Sequence, residues 1–195
     1  MSDSLAPEFV VPRLRGRFGR PYLYVAVCPS TQRLFGPEHA EGAVAATEEQ
    51  TEGRGRLGRR WLSPPRVSVL CSILLTPPVA TQHLPELSLV AGEACAQAIA
   101  SVTGLEPEIK LPNDLLLGGA KLAGILAEAR EGRVVLGIGI NANLERAQLP
   151  ADIDQPATSL LLEAGRRVDR AELFVELLAV LERRYEDWVA VAKSA

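Results

Sequence analysis

The stretch from Glu108 to Asn141, EIKLPNDLLLGGAKLAGILAEAREGRVVLGIGIN, decides the fold. It reads as apolar runs at Glu108–Leu111, Leu115–Leu117, Lys121–Ala129 and Arg133–Asn141, separated by Pro112, Gly118-Gly119 and Glu131-Gly132. Two-residue glycine-containing connections between apolar runs are hairpin signals, so the stretch is a meander. Antiparallel pairing of this kind argues against a doubly wound nucleotide-binding sheet. No GxxxxGK[ST] or GxGxxG phosphate loop is present either.

Working outward, Tyr22–Cys28 alternates as a strand does, and Ser30-Thr31 can cap a short helix to about Gly36. Ala43–Glu49 is a weaker strand, rich in alanine. Val67–Thr76, VSVLCSILLT, is apolar nearly throughout, as a central strand covered by helices would be, and Pro77-Pro78 stops it. Pro85 to about Val102 is predicted as a helix whose narrow face holds Leu87, Ala91, Ala94, Cys95, Ala98 and Val102. Thr158–Leu162 reads as a helical turn. A last helix runs from about Asp169 to Val191, with Asp169 and Glu172 as a capping box and Phe174, Leu177, Leu178, Leu181, Tyr185 and Trp188 on its buried face. Residues 1–20, with Pro7, Pro12 and the basic run Arg13–Arg20, read as a poorly ordered lead-in or edge segment before one domain at 21–195. The class expected is α+β, with a mixed, largely antiparallel sheet and helices packed mainly on one face.

At 195 residues, 47% hydrophobic and 23% charged, the chain is long enough for one good core. A formal charge of −3 gives no global attraction to nucleic acid or to an anionic membrane, and no apolar run is long enough to span a bilayer. Cys28, Cys71 and Cys95 sit in apolar surroundings without metal-ligand spacing and read as reduced core residues. With no basic-then-apolar leader, the expected location is the cytoplasm.

Against this background the segment Gln50–Pro64, QTEGRGRLGRRWLSP, stands out. Arg54, Arg56, Arg59 and Arg60 alternate with Gly53, Gly55 and Gly58. Glycines free the backbone and expose N–H groups, while guanidinium forks match phosphate and carboxylate. The composition fits a mobile anion-binding loop or a solvated basic turn. Two features accompany it. Lys110, Asn113 and Asp114 surround a proline-fixed turn, and Lys121 lies on an otherwise apolar strand, where a lysine snorkels at a sheet edge or faces a buried anion. Asp114 could bind Mg²⁺ or simply stabilise the turn. His39 and His83 show no partner pattern and read as surface residues. The inventory holds cationic donors and a candidate metal carboxylate without a nucleophile or dyad, which suits phosphoryl or nucleotidyl transfer better than acid–base hydrolysis.

Taken in order, GRGRLGRRW with Ser63-Pro64, KLPND, KLAGILAE and GIGINAN resemble the signature of biotin protein ligases over about residues 20–190. The resemblance implies a class II synthetase-like biotin/lipoate ligase catalytic domain that converts biotin and ATP, with Mg²⁺, to biotinyl-AMP. Biotin then passes to a lysine of a biotin carboxyl carrier domain, that of acetyl-CoA carboxylase being the expected acceptor. It implies that Ser30, Thr31 and Gln50 hydrogen-bond the ureido ring, with Gly53 in the biotin loop and Gly137 and Gly139 closing against the ligand. Arg54 and Arg56 would belong to the loop folding over biotin and adenylate. Arg59 and Arg60 would reach ATP phosphates, Trp61 would flank the adenine, and Asn141 would contact the nucleotide. Lys121 would meet the biotin carboxylate and α-phosphate, supported by Lys110 and Asn113, with Asp114 as the magnesium or structural carboxylate.

The chain departs from the family pattern in three places. Leu111 replaces the tryptophan usual in KWPND, removing an aromatic wall. Gln32 replaces the asparagine usual after Ser-Thr. No N-terminal DNA-binding domain is expected, which argues against a repressor role, and the small C-terminal domain is not expected either, which implies weakened nucleotide binding or loss of transfer. A homodimer formed by pairing sheet edges is one assembly known among relatives. The competing readings are a lipoate ligase or octanoyltransferase of the same fold, a degenerate ligase that binds without turnover, and nucleic-acid binding. The last lacks aromatic interleaving and a broad basic face.

Overall fold

A computed structural model describes residues 3–149 and 156–194. Strands β1 (Tyr22–Cys28), β2 (Val44–Gln50), β3 (Val69–Leu75), β4 (Glu108–Lys110), β5 (Asp114–Leu117), β6 (Ala120–Arg130) and β7 (Arg133–Ile140) form one sheet in the order β1-β2-β3-β7-β6-β5-β4. β1 pairs with β2 in parallel, and every other neighbour is antiparallel. The predicted meander is therefore present as β4 to β7, and it joins the rest of the sheet through β3.

The turns show why. Gly118 and Gly119 have φ of 57° and 78°, and Glu131 and Gly132 have 53° and 75°. Positive φ at both central residues is the backbone that matches strand twist in a two-residue hairpin. Glu131 adopts it without being glycine. Every residue of β3 is buried, the six apolar ones and Ser72 alike, and the strand is bonded on both edges.

Helices α2 (Leu87–Thr103) and α4 (Arg170–Ala192) pack on one face of the sheet and on each other. α2 turns small residues inward: Ala91, Ala94, Cys95 and Ala98 are buried, and Gly92 faces Ile109 and Ile125. Its start differs from the predicted Pro85 because residues 81–86 form a 3₁₀ turn, ahead of the first α-helical residue, Leu87. α4 begins at the predicted cap, where Asp169 Oδ1 accepts from the Glu172 N–H at 3.0 Å. The short helix α3 (Leu160–Ala164) starts two residues later than expected, capped by Ser159.

The first twenty residues overturn the expectation of a loose lead-in over the part described. Helix α1 (Pro7–Val10) and a 3₁₀ turn at Val11–Arg13 bring Leu5, Val10, Leu14 and Phe18 into the hydrophobic core. Glu182 on α4 accepts from the Arg17 and Phe18 N–H groups, and Arg17 pairs with Glu41, Glu182 and Glu186. Deeper still, buried Arg170 reaches Glu48 on β2 at 2.6 Å and Asp3 at 3.3 Å. Glu48 also accepts from the Ser4 hydroxyl and the Leu5 N–H. Prolines at 7 and 12 signal irregular backbone, and here that backbone is anchored.

Candidate active site

The second face of the sheet is only partly covered, and there the chain forms a cavity of about 390 Å³. Its floor is the middle of β6 and β7, its walls are the segments after β1 and between β4 and β5, and its rim is the arginine-rich loop. Each wall has a local cause. Ser30 and Thr31 follow β1 after Pro29. The Thr31 N–H donates to Gln50 Oε1 at 2.8 Å, and the Thr31 and Ser72 hydroxyls lie 2.7 Å apart. Gln50 ends β2, beside Cys28 in the parallel register, so the two strand ends place hydroxyls and amide together.

Lys121 opens β6. Its N–H donates to Pro156 O and its carbonyl accepts from the Thr158 N–H, while Nζ lies 2.8 Å from Asp114 Oδ1 and 5.9 Å from the centre of the Trp61 ring. The lysine is thus held at backbone and tip, and it faces the cavity rather than snorkelling away. Asp114, expected as a magnesium or structural carboxylate, is the counter-ion of Lys121. Among the described residues no group of three or more His, Cys, Asp or Glu side chains could hold a metal. One carboxylate falls short of an all-protein cage for magnesium, an ion commonly held by one or two carboxylates together with substrate phosphates. Asn113 bridges two parts of the site: Nδ2 donates to Ile125 O at 3.0 Å, and Oδ1 accepts from Arg56 at 3.3 Å. Lys110 lies at the cavity edge, paired in register with Asp114.

The loop closes on itself. Arg54 and Arg60 form an antiparallel bridge, the Gly55 N–H donates to Arg59 O, and the Trp61 N–H donates to Gly53 O. Gly53 does not line the cavity. A Cβ there would lie 2.3 Å from Trp61 O, so glycine is needed for the close backbone approach at the loop's base. At the tip Leu57 has φ of 56° and is 88% exposed. Arg54 reaches Glu128 on β6 at 2.8 Å, and Arg60 donates to Thr51 O. All four arginines line the cavity and remain exposed.

Two of the expected ligand contacts are covered by the chain itself. A Cβ on Gly139 would lie 2.6 Å from the Trp61 indole, one on Gly124 2.8 Å from it, and one on Gly137 2.9 Å from Gln32 Nε2. Trp61 therefore lies across the floor, and the Gln32 amide lies on Gly137. The pairing of Gly124 with Trp61 was missed by sequence reasoning, although KLAGILAE carries a lone strand glycine, which is a sign of close approach. Asn141 stands apart from the cavity: its side chain donates to Thr158 O at 3.0 Å and its backbone is bonded to Leu122 and Leu160. Leu111, 67% exposed, offers no wall comparable to the family's indole. Cys28, Cys71 and Cys95 are buried, free thiols, and burial raises the pKa of all three, that of Cys95 to about 12, which disfavours the thiolate. His39 is half-buried, accepting from the Gly36 N–H at Nδ1, where a surface position was expected.

Residues 24–145 match the model of the biotin/lipoate A/B protein ligase family. The chain belongs to that family. Within the biotin/lipoate ligase family it is 38% identical over 180 residues to the bifunctional ligase/repressor BirA of Bacillus subtilis, covering 88% of this chain and 55% of that protein. It is 40% identical over 152 residues to the biotin–[acetyl-CoA-carboxylase] ligase of Mycobacterium tuberculosis, covering 76% and 56% respectively. The chain thus spans a little over half the length of these curated relatives. In three dimensions it resembles the biotin protein ligase of Aquifex aeolicus bound to biotin and ATP, with a TM-score of 0.79 and 31% identity over 86% of this chain and 71% of that one.

Proposed function

We propose that this protein activates biotin with ATP and transfers it to a lysine of a biotin carboxyl carrier domain, that of acetyl-CoA carboxylase being the expected acceptor. The observation that carries the reading is the fixed Lys121 Nζ, set between a glycine-floored cavity and a rim of four arginines. A carboxylate entering along the floor meets an ammonium group there, and a triphosphate at the rim meets guanidinium groups. In the first half-reaction a biotin carboxylate oxygen attacks the α-phosphorus and the bond to pyrophosphate breaks. Lys121 neutralises the developing charge, while Arg56, Arg59 and Arg60 hold phosphate oxygens. In the second, the carrier amine attacks the adenylate carbonyl, an amide forms, the amine loses its proton and AMP departs.

Ser30, Thr31 and Gln50 serve the ureido ring in this reading. Arg54, tied to Glu128, anchors the loop, and Asn113 couples Arg56 to β6. Asp114 orients Lys121, and no step is routed through a protein-held metal. Asn141 supports the floor from behind through Thr158. Calorimetry with biotin and then MgATP, with pyrophosphate measured in the same samples, tests the reading. Biotin binding followed by pyrophosphate release is expected. Failure to bind biotin, with binding of lipoate or octanoate, overturns it in favour of the sister activity.

A further inference from the structure

The arginine-rich loop has a second hollow, on its outer side. A recess of about 260 Å³ lies there, lined by Arg33, Glu52, Arg54, Arg59 and Arg60 and by three glycines of the loop, with none of the floor residues of β6 and β7. Arg54, Gly55, Arg59 and Arg60 line both this recess and the cavity over the sheet. The loop is therefore a thin partition whose guanidinium groups are reachable from either side, and Gly53, Gly55 and Gly58 add no side chain to its thickness. The charge balance in the recess is one-sided. Four arginines line it with a single carboxylate, in a molecule whose formal charge is −3. Arg33 and Arg54 have acidic partners, Glu52 at 2.7 Å and Glu128 at 2.8 Å. Arg59 and Arg60 are exposed and have no such partner among the described residues. Arg33 engages Glu52 through Nη1, which leaves further guanidinium donors for a second acceptor. Several guanidinium forks around a small recess suit a compact anion of high charge better than a lone carboxylate.

We propose that this outer recess is a second anion site, which takes the diphosphate product from the rim and lets it leave while the loop stays over the adenylate. This rests on the adenylation reading above and adds a site to it. In that reading pyrophosphate is released beside Arg59 and Arg60, the residues common to both hollows. Arg33 lines the outer one alone and supplies a cation there. Diphosphate crossing the partition exchanges one guanidinium donor for another, and the mouth of the cavity need not open. The adenylate left inside stays shielded from water. Glu52 acts in the opposite sense on the anion. Its pair with Arg33 fixes that guanidinium at the recess, and its own charge repels a bound diphosphate, so the site releases what it takes.

The test is calorimetric titration of inorganic pyrophosphate, at low ionic strength and without metal, into the unmutated protein, Arg33→Gln and Glu52→Gln. Each is measured empty and with the inner cavity filled by a non-hydrolysable analogue of biotinyl-AMP. Pyrophosphate is expected to bind the filled protein, to bind Arg33→Gln about tenfold more weakly and to bind Glu52→Gln about threefold more tightly. Biotin affinity is expected to be the same in all three proteins, which also shows that the variants are folded. Loss of pyrophosphate binding once the analogue is in place overturns the proposal, because the anion then occupies the inner rim where the terminal phosphates of ATP would lie. Equal binding by the unmutated protein and Arg33→Gln overturns it too, with no change of ligand needed. A protein that binds neither biotin nor the analogue overturns the functional reading instead, and the Arg33 dependence of pyrophosphate binding by the empty protein still decides whether the recess is an anion site.

Discussion

One arginine and a group of four occupy opposite faces of this sheet, and their surroundings differ in kind. Arg170 on α4 is 1% exposed and donates to Asp3, Glu48 and the carbonyl of Ser68. Burial opposes its charge, yet the hydrogen bonds and charges of Asp3 and Glu48 hold its pKa above the ordinary arginine value. Arg54, Arg56, Arg59 and Arg60 are exposed, and the contacts of Arg56 and Arg60 are single neutral acceptors at 3.3 and 3.1 Å. A buried guanidinium must be saturated by its own fold, whereas a rim guanidinium is completed by what arrives. One group is part of the folding problem, and the other is available to a ligand.

The sharpest way to break this comparison is Arg170→Ala, expected to destabilise folding by about 3–5 kcal/mol because Glu48 and Asp3 lose their partner. Urea denaturation measures it, and a loss below about 1 kcal/mol would mean the pair is not structural. Next is Lys121→Met, expected to lower the rate of pyrophosphate release by about 10²–10³-fold. Single-turnover kinetics would read this, and retention of the parent rate would remove Lys121 from the chemistry. Arg56→Gly is expected to weaken retention of biotinyl-AMP about tenfold with folding stability unchanged within about 0.5 kcal/mol. If instead stability falls and retention holds, the rim arginine belongs with Arg170. The smallest effect serves as a control away from both groups: Glu131→Gly should stabilise by about 0.5–1 kcal/mol, since φ of 53° suits glycine. A melting-temperature comparison checks it.

Much of the fold was legible because its signals are local. Gly118-Gly119 and Glu131-Gly132 specify hairpins by backbone conformation, and the nearly continuous apolarity of 69–75 announces a buried central strand. The arginine loop and Lys121 were legible as separate groups of cations, and the structure brings them to one cavity. What could not be read depends on pairings distant in sequence. Arg170 meets Glu48 across 122 positions, and nothing near either residue indicates that partner. The anchoring of residues 3–18 has the same origin. For Asn141, a motif gives the position of a side chain along the chain and not the direction in which it points. Here that direction is toward Thr158. The glycines at 124, 137 and 139 signalled close approach, but the approaching groups, Trp61 and Gln32, come from other parts of the chain.

The position of that indole has a practical side. The chain holds two tryptophans. Trp188 is on α4, with its Nε1 bonded to Glu86 at 2.7 Å, on the helical side of the molecule and away from the cavity. Trp61 lies on the cavity floor with Lys121 beside it. The protein thus carries a built-in optical reporter and a single constant background emitter. Filling the cavity changes the polarity and quenching around one indole only, so occupancy can be followed by intrinsic emission in a stopped-flow cell, without a label, and Trp188→Phe would leave the signal purely that of the site.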